Sequence, residues 1–159
     1  MSQTLPYSSW CFVCGKDNPC GLRLKFHREG QSVAAEFTPH ERYNGFPGMT
    51  HGGIVTALLD EAMGWATAFD SRRFSHTAEL KIRFRRPTPA GAALRVEARA
   101  TGSRGRLAFA VGEIRDSAGE VLVEAEGKFM LLGEKETRQV DDMLIYDPDS
   151  WRIFDPDQA

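Results

Sequence analysis

One segment of this chain leaves few choices of fold. Residues 51–66 read His-Gly-Gly-Ile-Val-Thr-Ala-Leu-Leu-Asp-Glu-Ala-Met-Gly-Trp-Ala. Wound as a helix, Ile54, Leu58, Trp65 and Phe69 fall on one side, and Val55, Leu59, Ala62 and Ala66 on another. A helix that is apolar on most sides belongs in a core. The spacing predicts a helix from about Gly52 to Phe69, with glycines in front and Asp70-Ser71 behind. Bare N–H groups at a helix start stabilise negative charge on an oxygen. A carboxylate in apolar surroundings, here Asp60, serves as base or nucleophile. Together they point to chemistry at a carbonyl.

The flanking sequence has a different period. After the helix, Ala78, Leu80, Ile82 and Phe84 alternate with Glu79, Lys81, Arg83 and Arg85. That is a strand with one apolar and one charged face, ended by Arg86-Pro87-Thr-Pro89. Three more strands are expected at about 92–101, 106–115 and 120–131, joined by turns at Gly102–Gly105 and Asp116–Gly119. Before the helix, Leu22–Phe26 alternates and reads as a strand, turned by Arg28-Glu-Gly30-Gln into Val33–Phe37. Thr38–Thr50 is rich in turn formers and reads as a loop. The order β-β-α-β-β-β-β implies an α+β fold, with a six-stranded antiparallel sheet wrapped on one long central helix.

At 159 residues the chain suits one domain, organised as an irregular arm (1–21), a body (22–133) and an acidic tail (134–159). The tail holds 3 basic and 8 acidic residues, net −5, leaving 17 basic and 14 acidic, net +3, in 1–133. A mildly basic body suits a small anionic molecule rather than nucleic acid, which favours a clustered basic face. No apolar run approaches the roughly 18 residues of a membrane span. The start, Met1 to Tyr7, lacks a basic segment followed by an apolar one, so a cytoplasmic location is the expectation.

The cysteines are Cys11, Cys14 and Cys20. An odd count argues against a disulfide framework. Cys11-Phe-Val-Cys14 has the gap of a zinc knuckle, but a tetrahedral site takes four ligands and no second pair exists. Cys20 and His27 stand at atypical spacings. The reading is a tight turn with small buried thiols and no metal.

His51-Gly52-Gly53 with Asp60 nine positions after the histidine resembles the hotdog-fold acyl-CoA thioesterases of the phenylacetate-pathway and 4-hydroxybenzoyl-CoA thioesterase type. The opening Cys11-Phe-Val-Cys14-Gly with Asn18-Pro19 and Gly21-Leu22, and the closing Arg85-Arg86-Pro87, are similar too. The resemblance spans roughly 10–132. It implies hydrolysis of an acyl-CoA to free acid and coenzyme A, without cofactor. Asp60 would be base or nucleophile, the Gly52 N–H would polarise the thioester carbonyl, and Thr77 would position water. Many members carry an asparagine six residues before the histidine; that position is Gly45 here, with Asn44 one residue earlier. His51, Gly53, Asn44 and Glu61 are the further candidates for substrate contact. Arg83 and Arg85 read either as a solvated strand face or as contacts for coenzyme A phosphates. Trp65, Met63, Met49 and Phe46 read either as pocket or as core.

Gly52 to Asp60 is eight helical residues, about 12 Å at 1.5 Å per residue. One carbonyl cannot touch both on the same helix. A two-fold dimer, the commonest assembly, brings the helix start of one copy to the acid of the other. A homodimer, or a tetramer of such dimers, with shared sites is therefore expected. Two alternatives stand beside hydrolysis: a non-catalytic acyl-CoA-binding protein, and an acyl-thioester dehydratase or hydratase on the same fold.

Overall fold

The computed structural model describes residues 3–154. Its strands are β1 (Gln3–Thr4), β2 (His27–Glu29), β3 (Ser32–Phe37), β4 (Asn44–Phe46), β5 (Met49–Thr50), β6 (Ser75–Phe84), β7 (Leu94–Arg104), β8 (Leu107–Asp116) and β9 (Val121–Leu131). The helices are α1 (Gly52–Ser71) and α2 (Glu134–Asp141), with one 3₁₀ turn at Glu41–Tyr43. Seven strands form one antiparallel sheet in the order β1-β2-β3-β7-β8-β9-β6, and β4 and β5 make a separate small ribbon. The sheet packs on α1, chiefly through β7 and β8. This is the hotdog arrangement.

The inner face of the sheet and α1 share the core. Val33, Val96, Ile114 and Val123 are fully buried from the strands, and Leu58, Leu59, Ala62 and Met63 from the helix. Gly112 on β8 permits the closest approach: a Cβ there would stand 3.2 Å from both Leu59 Cδ2 and Met63 Cγ. The helix ends where Arg72 turns left-handed (φ 55°) and returns its N–H to the Ala68 carbonyl. The helix is not buried on every side: Gly52 and Gly53 at its start are exposed, and Asp60, Glu61 and Gly64 are half-buried.

Three expectations are corrected. The sheet has seven strands, because residues 3–4 of the arm pair with β2. Leu22–Phe26 is not a sheet strand; the strand begins at His27. Arg23 adopts a positive φ of 55°, which breaks the extended run. Leu22 and Leu24 instead donate backbone N–H groups to Phe12 and Val13 carbonyls of the arm. The loop 38–50 contains the 3₁₀ turn and the β4–β5 ribbon. The tail packs back on the body: Trp151 is buried, donates its N–H to the Thr4 carbonyl at 2.8 Å and meets Phe69 edge-on at 5.4 Å. The last stretch, 155–159, lies outside the described residues.

Leu59, fully buried between α1 and Gly112, gives a direct check. Leu59→Ala is expected to lower unfolding free energy by about 2–5 kcal/mol, measured by denaturant titration at fixed protein concentration. A loss under about 1 kcal/mol would contradict this packing.

Candidate active site

The loop before α1 is held so that the helix begins abruptly. His51 N–H bonds to the Tyr43 carbonyl at 2.8 Å, and Thr50 N–H to the Thr88 carbonyl at 2.8 Å. His51 then caps the helix: its Nδ1 accepts the Gly53 N–H at 2.9 Å. A Cβ on Gly53 would stand 3.0 Å from that same Nδ1, so glycine keeps the cap close. His51 and Gly53 thus use each other. The Gly52 N–H has no partner among the described residues and is exposed. It opens into a pocket of about 440 Å³ whose wall includes Phe46, Met49, Phe84, Arg85 and Arg86.

Asp60 lies two turns further along α1. Its Oδ1 accepts a hydrogen bond from Thr77 Oγ1 at 2.7 Å. Strict alternation from Lys81 would turn Thr77 to the outer face. A register shift between Thr77 and Glu79 reverses it, so that Thr77 pairs with buried Phe129 on the helix side. A bulge re-aims side chains in this way. Asp60 and Thr77 share a second pocket, about 240 Å³, with Ser8, Cys11, Cys14, Glu61, Trp65, Phe74, Phe129, Val140 and Leu144. The arm and the tail therefore supply part of its wall.

Glu61 faces this pocket as well. Its Oε1 accepts from Trp65 Nε1 at 3.1 Å, and Cys11 Sγ lies 3.7 and 3.8 Å from its two oxygens. Burial raises the Glu61 carboxyl to about 7, with the nearby Cys11 sulfur acting in the same direction. Cys11 is lowered to about 5 by hydrogen bonds from Cys14, through both its thiol and its N–H, and from the Val13 N–H. Cys14 is pushed up by its bond to the Cys11 sulfur and by burial.

The remaining candidates are dispersed. Asn44 sits in β4 with its Oδ1 buried and without a partner among the described residues, and it lines neither pocket. Arg85 borders the helix-start pocket but is engaged by Glu124 at 2.7 Å. Arg83 lies on the outer sheet face beside Lys81 and Arg99. Met63 is core, Trp65 lines the Asp60 pocket, and Met49 and Phe46 line the helix-start pocket. The proximity of the cysteine pair to Glu61 carried no signal in the sequence spacing, since fifty positions separate Cys11 from Glu61.

Residues 47–123, which include the helix start, Asp60 and Thr77, match the family model described as the thioesterase superfamily. A solved thioesterase superfamily protein superposes with a TM-score of 0.72 at 32% identity, over 76% of this chain and 60% of that one. The chain is similar to proteins of the thioesterase superfamily. It is also 25% identical over 108 residues to acyl-coenzyme A thioesterase THEM4 of Xenopus laevis, covering 67% of this chain. The chain spans about half (48%) of that relative's length. The structure of smu.793 from Streptococcus mutans, bound to acetyl CoA, shares the fold with a TM-score of 0.61 at 15% identity, over 66% of this chain and 84% of that one. No helix among the described residues is long and apolar enough to cross a membrane.

The cap sets a stability expectation. His51→Ala should destabilise the fold by about 0.5–2 kcal/mol, as side-chain N-caps do, read from the shift in denaturation midpoint. No shift would mean that the Nδ1–Gly53 bond is immaterial.

Proposed function

We propose that this protein hydrolyses an acyl-CoA thioester to the free acid and coenzyme A, at sites shared by two copies of the chain. The observation that carries the reading is the pair of half-sites on one rigid helix: an unbonded Gly52 N–H at the start and an Asp60 carboxylate held by Thr77 eight residues later. They are about 12 Å apart along the axis, so neither half acts on a carbonyl that the other also touches unless a second copy intervenes. β6, the strand that carries Thr77, is an edge of the sheet. An edge strand presents unpaired backbone groups to a neighbour, and pairing of two β6 strands about a two-fold axis would set the helices antiparallel. The match to the thioesterase superfamily model, the acyl-coenzyme A thioesterase relative and a shared fold with an acetyl CoA-bound protein support the substrate class.

In this reading the thioester carbonyl enters the pocket at one helix start. Its oxygen accepts the Gly52 N–H, which lies at the positive end of α1. The partner's copy of Asp60 either deprotonates a water or attacks the carbonyl carbon itself. The negative charge that develops on the carbonyl oxygen is stabilised by an N–H already in place, and removing one such donor typically costs about 10²–10³ in rate. The C–S bond breaks and coenzyme A leaves, its sulfur taking up the proton that Asp60 removed from water or one from solvent; where Asp60 itself attacks, water then hydrolyses the acyl–Asp60 anhydride to release the free acid. Thr77 positions Asp60 by donating to Oδ1, which leaves the second oxygen for the reaction.

Asp60→Asn is expected to lower turnover by roughly 10²–10⁴ in a thiol-release assay across acyl-CoAs, with substrate still bound. Turnover near the parent value would move the acid role elsewhere. Tight binding without turnover by the parent protein would instead favour the acyl-CoA-binding alternative.

Subunit complementation tests the sharing. Gly52→Pro removes the N–H at a position where proline suits a helix, and Asp60→Asn removes the acid. Each alone should be nearly inactive, whereas exchanged heterodimers regain activity through one intact site. No recovery in confirmed heterodimers would contradict a shared site.

A further inference from the structure

The arm and α1 bring together donors that the proposed hydrolysis does not use. Cys11 Sγ, Cys14 Sγ and a Glu61 oxygen all lie within 4.8 Å of one another. Two further observations bear on what they hold. The Val13 and Cys14 N–H groups both point at the Cys11 sulfur, at 3.3 and 3.4 Å. Such bonds from the second and third residues after a cysteine stabilise a sulfur that carries negative charge. Glu61, in turn, takes part in no salt bridge among the described residues; its hydrogen-bond partners are the Trp65 N–H and the Cys11 thiol.

We infer that Cys11, Cys14 and Glu61 form a binding site for one zinc ion. Zinc–sulfur bonds of about 2.3 Å and zinc–oxygen bonds of about 2.0–2.2 Å imply a sulfur–oxygen separation of about 3.6 Å across a tetrahedron. Cys11 Sγ already stands 3.7 Å from a Glu61 oxygen. The donor set selects the ion: thiolates favour zinc and other soft or borderline metals, whereas calcium and magnesium take oxygen ligands. The tight turn that presents the cysteines is preformed. Gly15 bonds to the Cys11 carbonyl at 2.9 Å, and a Cβ on it would stand 2.5 Å from that same oxygen. Binding forms two metal–sulfur bonds and one metal–oxygen bond, and the thiol protons pass to solvent; nothing is oxidised or reduced. All three donors line the Asp60 pocket, so the fourth tetrahedral position is open to a solvent molecule there. Sequence spacing led to the opposite expectation, because its third donor is a glutamate on a distant helix.

The test uses the full chain, purified reduced, with metal content by elemental analysis and zinc affinity by competition with a chromophoric chelator. One zinc per chain is expected. Cys11→Ser and Cys14→Ser should weaken binding by more than the roughly 10–100-fold that loss of an outer-shell partner costs, and Glu61→Gln should weaken it too. Cys20→Ser, at an exposed position outside the cluster, should bind like the parent. If the cysteine variants fail to fold, the parent protein loaded with cobalt decides: a thiolate-to-cobalt charge-transfer band supports the site and its absence overturns it. Substoichiometric uptake by fully reduced protein overturns it, as does uptake that survives both cysteine substitutions or is lost with Cys20. The readout is metal, so it is independent of whether Asp60 hydrolyses thioesters.

Discussion

A helix leaves N–H groups unbonded only in its first turn, and in this chain that constraint organises everything around α1. His51 takes the Gly53 N–H for itself. The Gly52 N–H is left exposed beside a pocket, at the positive end of a twenty-residue rod. The same rod is buried against the sheet through Val55, Leu58, Leu59, Ala62 and Met63, so it cannot bend to bring Asp60, eight residues on, to the Gly52 N–H. The packing that makes the fold stable is therefore also what separates the N–H from the Asp60 carboxylate.

The sheet brings Thr77 to Asp60 by an irregularity. Regular alternation along β6 would place Thr77 with Lys81 and Arg83 on the outer face. The bulge before Glu79 turns it inward, where it donates to Asp60 at 2.7 Å. One extra residue in an edge strand thus couples sheet register to the side chain that orients the acid. The arm and the tail then close the pocket with Ser8, Cys11 and Cys14 on one side and Val140 and Leu144 on the other. Those segments lie outside residues 47–123, the stretch that matches the superfamily model.

Much of this was legible in the residues. The helix was visible because its apolar residues cover most of its circumference, and β6 to β9 because their alternation is long and their turns carry glycine. A role for Thr77 in positioning water came from resemblance, since period two alone pointed Thr77 outward; its hydrogen bond to Asp60 is seen only in the structure. Leu22–Phe26 misled: its alternation serves contacts with the arm, and Arg23 breaks the strand with a positive φ. Glu61 next to Cys11 and Cys14 was not legible at all. Spacing rules detect ligands that are close in sequence, and this contact depends on how the arm folds across α1. Asn44 lines neither pocket; it sits in β4 with its Oδ1 buried and without a partner among the described residues.

The most direct measurement is a crystal structure of the protein with a non-hydrolysable acyl-CoA analogue. The account requires the carbonyl oxygen within hydrogen-bond reach of the Gly52 N–H of one protomer, with the carbonyl carbon facing the partner's Asp60. A carbonyl bound where only one chain contributes, or far from both groups, would contradict it.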